Sequence, residues 1–98
     1  MALSNLSRSI DGLVALVTGA GSGMGAATAK LFADQGARVA AIDINAEGLQ
    51  EVVDDIQAAG KEARPWVLDL ADTQATEAVV EEVAAQFGGV DLLINNAG

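Results

Sequence analysis

A glycine-rich stretch near the start of the chain constrains the fold more than any other feature of the sequence. Residues 13–17 form an unbroken apolar run, which is typical of a strand buried on both faces of a parallel sheet. Glycines follow at positions 19, 21, 23 and 25, and good helix formers come directly after them. Glycine lets the backbone turn tightly and approach a ligand closely, and the free N–H groups of a helix start attract anions. The order strand, glycine turn, helix therefore predicts a turn that binds a pyrophosphate.

The glycines can be read in two spacings. Gly21-x-Gly23-x-x-Ala26 matches the general dinucleotide fingerprint with alanine in its last position. The alternative spacing, Thr18-Gly19-x-x-x-Gly23-x-Gly25, places a glycine directly after the strand. We favour the second, because a strand that ends at Thr18 requires its first bend at Gly19. Taken alone, the stretch is also compatible with a tight turn that binds no ligand.

Composition limits the class of protein. Ninety-eight residues allow one domain, and with 51% hydrophobic but only 3% aromatic residues its core is predicted to be aliphatic. The chain has no cysteine and no histidine, which excludes disulfides, thiolate chemistry and a zinc site of the usual ligands. A net charge of −9 without a basic run argues against nucleic acid and anionic membrane surfaces as partners.

The N-terminal residues form a mixed polar segment with no signal peptide, and no later segment is long and apolar enough to span a membrane. We therefore predict a soluble cytoplasmic protein with a short tail over residues 1–12 and one partial domain over residues 13–98.

Strand and helix patterns alternate over that domain as βαβαβαβ, which predicts an α/β fold with a parallel sheet and right-handed crossovers. The strands after the first are expected at 38–42, 63–68 and 90–94. Pro65 has no N–H for a central ladder, so the third strand is expected at a sheet edge or to begin at Pro65. The helix starts are expected near Met24, at Asn45, and at Asp72 or Thr73. The predicted inward faces, in helix order, are Met24, Ala27, Thr28, Leu31 and Phe32; Leu49, Val52, Val53 and Ile56; and Ala75, Val79, Val80, Val83 and Phe87.

An acidic residue stands where the second strand ends. Asp43 lies 18 positions after Gly25, which is the interval at which a carboxylate accepts the ribose hydroxyls of an adenosine. The same carboxylate would repel a 2′-phosphate, and neither the glycine turn nor Ile44 and Asn45 offers a cation to bind one. This favours NAD over NADP. The alternative is that Asp43 only turns the chain or caps the next helix.

Two further polar motifs follow later strands. Asp69-Leu70 comes after the third, where a carboxylate would accept from the adenine amino group and the Leu70 N–H would donate to the ring. A solvated strand-end aspartate is nearly as good an interpretation. Asn95-Asn96-Ala97-Gly98 follows the fourth strand, where small residues would let a cofactor ribose pass and asparagine amides would tie strand ends together.

These motifs, in this order and at these intervals, resemble the short-chain dehydrogenase/reductase family over residues 13–98. The resemblance implies a Rossmann-type fold with strand order 3-2-1-4, truncated after the fourth strand, and NAD as cofactor. It implies that the glycine turn holds the pyrophosphate, Asp43 the adenosine ribose, Asp69 and Leu70 the adenine, and the last motif the middle of the cofactor. The implied cofactor-binding residues are Gly19, Ser22, Gly23, Met24, Gly25, Asp43, Ile44, Asp69, Leu70, Asn95, Ala97 and Gly98.

The catalytic residues of that family, an Asn, a Ser and a Tyr-x-x-x-Lys pair, follow the Asn-Asn-Ala-Gly motif. This chain contains no tyrosine, so we assign no catalytic residue and expect cofactor binding without turnover. Three interpretations stay open: the NAD-binding half of a short-chain oxidoreductase acting on an alcohol or carbonyl, a non-catalytic NAD-binding module, and a half-sheet kept for folding or assembly.

The apolar run Leu92, Leu93 and Ile94 is expected to form an exposed edge through which the chain self-associates. Neither the substrate nor the oligomeric state of a complete protein is indicated.

Overall fold

The computed structural model describes residues 10–96, which fold into strands and helices in strict alternation. The elements are β1 (Val14–Thr18), α1 (Gly23–Asp34), β2 (Arg38–Asp43), α2 (Ala46–Ala58), β3 (Ala63–Val67), α3 (Thr73–Phe87) and β4 (Leu92–Asn95). The four strands form one parallel sheet in the order β3-β2-β1-β4. The predicted fold class and strand order are confirmed, and Pro65 lies in an edge strand as its missing N–H requires.

The sheet separates two apolar layers. Helices α1 and α2 cover one face, and α3 covers the other. All five residues of β1 are buried, because this strand has neighbours on both sides and a helical layer on both faces. The predicted inward face of α2 is confirmed, since its four buried residues are Leu49, Val52, Val53 and Ile56.

The predicted inward face of α1 is largely wrong, although Phe32 is partly buried and packs against the core. Its buried residues are Gly25, Ala29 and Ala33, whereas Met24 is 77% and Leu31 56% exposed. A Cβ at Gly25 would overlap the carbonyl oxygen of Gly19, so the helix begins in direct contact with the glycine turn. This close approach selects the row of small residues as the buried face and leaves Met24 and Leu31 outside.

Helix α3 differs from its prediction at Val80 and in part at Ala75, which is only half-buried. Val79, Val83 and Phe87, spaced four apart, are buried, but Val80 is 41% exposed. The helix therefore contacts the sheet along a single row. Both predicted N-caps are present: Asn45 accepts a hydrogen bond from the Gly48 N–H, and Asp72, rather than Thr73, caps α3.

Residues 10–12, at the end of the predicted tail, contact the folded unit. Ile10 is buried, and the Gly12 N–H donates to the carbonyl of Gly36 at 2.9 Å. Among residues 10–96, no helix combines the length and the apolar character that crossing a membrane requires.

Candidate dinucleotide-binding site

Thr18, Asp43 and Asn95 are the last residues of β1, β2 and β4, and because the strands are parallel these ends lie at one edge of the sheet. The order of strand addition reverses at β1: β2 and β3 are added on one side of β1, and β4 is then added on the other side. Open α/β sheets bind ligands in the crevice outside the carboxyl ends of strands at such a reversal. The polar motifs predicted from the sequence converge on this edge.

The glycine turn is built on conformations that favour glycine. Gly19 has φ 64° and Gly23 φ 56°, both in the left-handed region. The Ala20 N–H donates to the carbonyl of Ile42 at 3.0 Å, which ties the turn to β2. The bend at Gly19, directly after β1, and the close contact of Gly25 with it agree with the spacing that we favoured.

The start of α1 lacks a side-chain cap. Its N-cap residue is Ser22, whose side chain makes no capping hydrogen bond. The other two described helices are capped: Asn45 accepts from Gly48 N at 3.2 Å, and Asp72 accepts from Ala75 N at 3.1 Å. The first N–H groups of an α-helix have no partner within the helix. At α1 the Ser22 side chain does not accept from them, and the helix dipole favours an anion there.

Asp43 joins the turn to the start of α2. One oxygen, Oδ2, accepts from the Gly21 N–H at 2.8 Å, and Oδ1 accepts from the Asn45 N–H at 2.9 Å. An ionised carboxylate has about four acceptor positions, so two N–H donors leave capacity for hydroxyl donors from a ligand. The structural alternative for Asp43 is therefore real, and it is compatible with ribose binding.

A cavity of about 140 Å³ lies beside Asp43. Five of the predicted site residues line it together with Leu68: Gly19, Asp43, Ile44, Asp69 and Leu70. Ile44 is 65% exposed, and Asp69 accepts from the Ala71 N–H at 2.9 Å. Sequence reasoning missed Leu68 as a lining residue, because its position depends on a bond from its N–H to the Asp43 carbonyl at 3.1 Å.

Thr18 and Asn95 tie β1 to β4 at the point of reversal. The Thr18 hydroxyl donates to Asn95 Oδ1 at 2.8 Å and accepts from the Asn96 N–H at 3.1 Å. Thr18 is only 5% exposed, and the Asn96 Nδ2 is buried with no partner among the described residues. The predicted tie between strand ends is thus present, while Ala97 and Gly98 lie outside the described residues.

A second cavity, of about 270 Å³, reaches the same edge on the face that α3 covers. Its lining is mainly apolar, with Thr18, Thr76 and Asn95 as polar groups. None of the four basic residues within residues 10–96 lines either cavity at this edge. A larger cavity of about 370 Å³ lies between α1 and α2, and it contains none of the predicted site residues.

The remaining predicted residues lie around the turn. Ser22, Gly23 and Met24 are exposed at its rim, whereas Gly25 is buried beneath it. The described part of the site therefore provides an uncapped helix start, a carboxylate at the end of β2, and a cavity that Gly19, Asp43 and the Asp69-Leu70 segment line. This arrangement suits a ligand with an anionic centre and a polar nucleoside end.

Known proteins are similar to this chain in both sequence and fold. The chain is 46% identical over 89 residues to a D-threitol dehydrogenase of Mycolicibacterium smegmatis, an alignment that covers 91% of this chain and 34% of that protein. It is 37% identical over 91 residues to a 2,3-dihydro-2,3-dihydroxybenzoate dehydrogenase of Bacillus subtilis, covering 93% and 35%. The chain thus spans about a third of the length of these relatives.

Solved structures agree with these relatives. A hydroxysteroid dehydrogenase from Escherichia coli superposes with a TM-score of 0.87 at 42% identity, over 91% of this chain and 38% of that one. A metagenomic short-chain oxidoreductase in complex with NADP gives a TM-score of 0.87 at 43% identity, over 92% and 41%. The family model for short chain dehydrogenases matches residues 13–98. The chain belongs to the short-chain dehydrogenase family.

Proposed function

We propose that this chain binds NAD(H) at the carboxyl edge of its sheet and supplies the cofactor-binding half of a short-chain oxidoreductase. The observation that carries the proposal is the uncapped start of α1 beside a cavity that Asp43 and Asp69 line. The helix start supplies N–H donors for the diphosphate, and the carboxylates supply acceptors for the ribose and the adenine. Gly23, Met24, Gly25 and Ile44 would contact the cofactor around these groups.

In the proposed reaction, the nicotinamide accepts or donates a hydride, and an alcohol or carbonyl carbon is the other partner. The residues of this chain bind and orient the cofactor. We assign none of them to proton transfer, because the family's Tyr-x-x-x-Lys pair has no counterpart in the sequence. We expect binding of the cofactor without turnover, and a small-molecule substrate only where the catalytic segment is present.

NAD is the preferred cofactor in this proposal. Asp43 places a negative charge at the end of β2, where a 2′-phosphate would be repelled, and no basic residue lines the cavity beside it. A short-chain oxidoreductase that is 43% identical to this chain was solved in complex with NADP. Comparing NADH with NADPH, which differ only by the 2′-phosphate, is therefore the most direct test of this choice. A cytoplasmic location is part of this proposal.

Two other functions have specific support. An NAD-binding module is the second candidate, since the described cofactor edge would serve it equally well, and a Tyr-x-x-x-Lys pair beyond Gly98 would decide for the enzyme. The outer edge of β4 and the exposed Leu93 favour self-association, which would make the chain an assembly unit.

Titration with NADH and, in parallel, NADPH tests the proposal. Trp66 is the single tryptophan, and it pairs with Ile42 one residue before Asp43. Energy transfer from its indole to the reduced nicotinamide therefore reports binding, with calorimetry as an independent measurement. We expect NADH to bind at least about tenfold more tightly than NADPH, the effect of one unfavourable charge contact. Equal affinities would contradict the role of Asp43, and no binding of either would contradict the proposed function.

A further inference from the structure

A glycine in the first turn of α2 requires an explanation. Gly48 lies three residues after the N-cap Asn45, inside a helix where glycine is less stable than alanine. Its N–H donates to Asn45 Oδ1 at 3.2 Å, which an alanine N–H would do equally well. Neither the helix nor its cap therefore requires the absence of a side chain.

The glycine turn supplies the reason. A Cβ at Gly48 would overlap the carbonyl oxygen of Gly21, and it would lie 3.2 Å from the Gly21 carbonyl carbon. Gly21 is buried, and a Cβ there would lie only 2.9 Å from Asp43 Oδ2. The turn, the end of β2 and the start of α2 are therefore packed with no room for a methyl group at either glycine.

The contact fixes the orientation of one peptide group. The carbonyl of Gly21 belongs to the same peptide plane as the Ser22 N–H, and none of the described peptide bonds is cis. In a trans peptide the C=O and N–H point in opposite directions. Because the Gly21 carbonyl faces Gly48, the Ser22 N–H points away from α2, at the position where α1 begins.

We propose that Gly48 is a positioning residue for the cofactor: by letting α2 close on the Gly21 carbonyl, it aims the Ser22 N–H toward the diphosphate. The inference rests on the proposed function of the turn. A methyl group at position 48 displaces the Gly21 carbonyl and rotates the peptide plane, so the Ser22 N–H loses its alignment. The adenosine contacts of Asp69 and Leu70, on another loop, are not displaced directly.

Gly48→Ala in the 98-residue chain tests this. We expect the affinity for NADH to fall about tenfold, which is the effect of weakening one hydrogen bond to a charged group. The affinity for adenosine, which has no phosphate, is expected to change less than twofold. Ala46→Gly changes helix propensity in the same turn without adding an atom near Gly21, and we expect it to leave both affinities unchanged.

Two further measurements separate the outcomes. The Ser22 amide resonance of the free chain should shift in Gly48→Ala and stay in place in Ala46→Gly; an unshifted resonance would overturn the inference even if the wild-type chain bound no NADH. The absence of NADH binding by the wild-type chain would count against the proposed function alone.

A double variant tests whether Asn45 is the obstacle to a methyl group at position 48, since Asn45 Nδ2 would lie 2.8 Å from the added Cβ. Asn45→Gly combined with Gly48→Ala removes that side chain at little cost to the cap. We expect the Ser22 shift and the weak NADH binding to persist in the double variant. Recovery of the wild-type resonance and affinity would overturn the inference, because Asn45 and not the Gly21 carbonyl would then be the obstacle.

Discussion

Asp43 connects more parts of the candidate site than any other residue in it. Its two oxygens hold the Gly21 N–H and the Asn45 N–H, so the same carboxylate orders the turn, begins α2 and faces the cavity beside Gly19. A change at this position is therefore expected to alter stability and, on the proposed function, cofactor choice together. The two effects separate only when the charge is removed and the size is kept.

Asp43→Asn makes that change. We expect the affinity for NADH to fall about tenfold and the preference for NADH over NADPH to narrow, because the amide neither repels a 2′-phosphate nor accepts as strongly from ribose hydroxyls. The free energy of unfolding should fall by about 1–3 kcal/mol, since two backbone N–H groups lose a charged acceptor. Parallel NADH and NADPH titrations and urea unfolding measure the three quantities.

Asp54→Asn is the matched control, because Asp54 is exposed on α2 and bonds only Gln50 Nε2 at 2.9 Å among the described contacts. It should leave both affinities unchanged and the unfolding free energy within about 0.5 kcal/mol of wild type. A variant at Asp43 that kept the full preference for NADH would contradict the role that we give to its charge.

At this scale the sequence predicted positions better than contacts. The apolar run at 38–42 placed Asp43 at the end of β2, and the structure confirms that place. The bond to Gly21 depends on how the turn folds back over β2, which no local pattern encodes. The Thr18 hydroxyl was missed for a similar reason, since its partners Asn95 and Asn96 are more than 70 residues away in sequence.

Among the elements, the helices illustrate when periodicity is informative. The four apolar residues that face inward on α2 stand on an otherwise polar helix, so the pattern has one solution. Helix α1 is apolar on several faces, and the close approach of Gly25 to the turn selects its small row instead. Hydrophobicity alone could not predict which face is buried, because backbone proximity decided it.

Helix α3 offers a matched pair for measuring what burial contributes. Val83 is fully buried against the sheet, while Val80, three residues earlier, is 41% exposed. We expect Val83→Ala to lower the free energy of unfolding by about 2–3 kcal/mol, through lost burial and the cavity that remains. Val80→Ala should cost about 0.5 kcal/mol or less. Urea unfolding of both variants measures the difference, and equal effects would contradict the single contact row of α3.

The end of α3 is held by contacts that no sequence pattern predicted. Arg38 and Arg64 place their guanidinium carbons 5.6 Å and 5.4 Å from the centre of the Phe87 ring, and the Arg38 Nη2 also donates to the Phe87 carbonyl at 3.0 Å. Two cations at a helix C-terminus interact favourably both with the helix dipole and with the face of the aromatic ring. These residues come from β2, β3 and α3, so only the sheet order brings them together.

For the whole molecule, the sheet order is the property with the widest consequences. It places the cofactor edge at the reversal between β1 and β4, and it makes β3 and β4 the two edges of the described sheet. Pro65 reduces the pairing capacity of β3, whereas β4 has neither proline nor charge within Leu92–Asn95. The edge next to the site is therefore the one that is open to another strand.

We expect the chain to self-associate through β4. The net charge of −9 opposes close approach of two copies, so association should strengthen as salt is raised and screens that repulsion. Sedimentation from about 1 to 100 µM, a range that spans moderate dissociation constants, measures the effect at low and high salt. A compact monomer at every concentration and salt would contradict the proposal.

Leu93→Lys identifies the surface involved. Leu93 is 66% exposed at the open edge, so a lysine there is tolerated by the monomer but places a charge against an incoming strand. We expect it to weaken association about tenfold, the equivalent of roughly 1.4 kcal/mol. Leu31→Lys makes the same change of charge on α1, where Leu31 is 56% exposed, and should leave association unchanged. Each lysine makes the net charge of −9 less negative, so control by net charge would strengthen association in both variants, and equal effects of the two would contradict the role of the β4 edge.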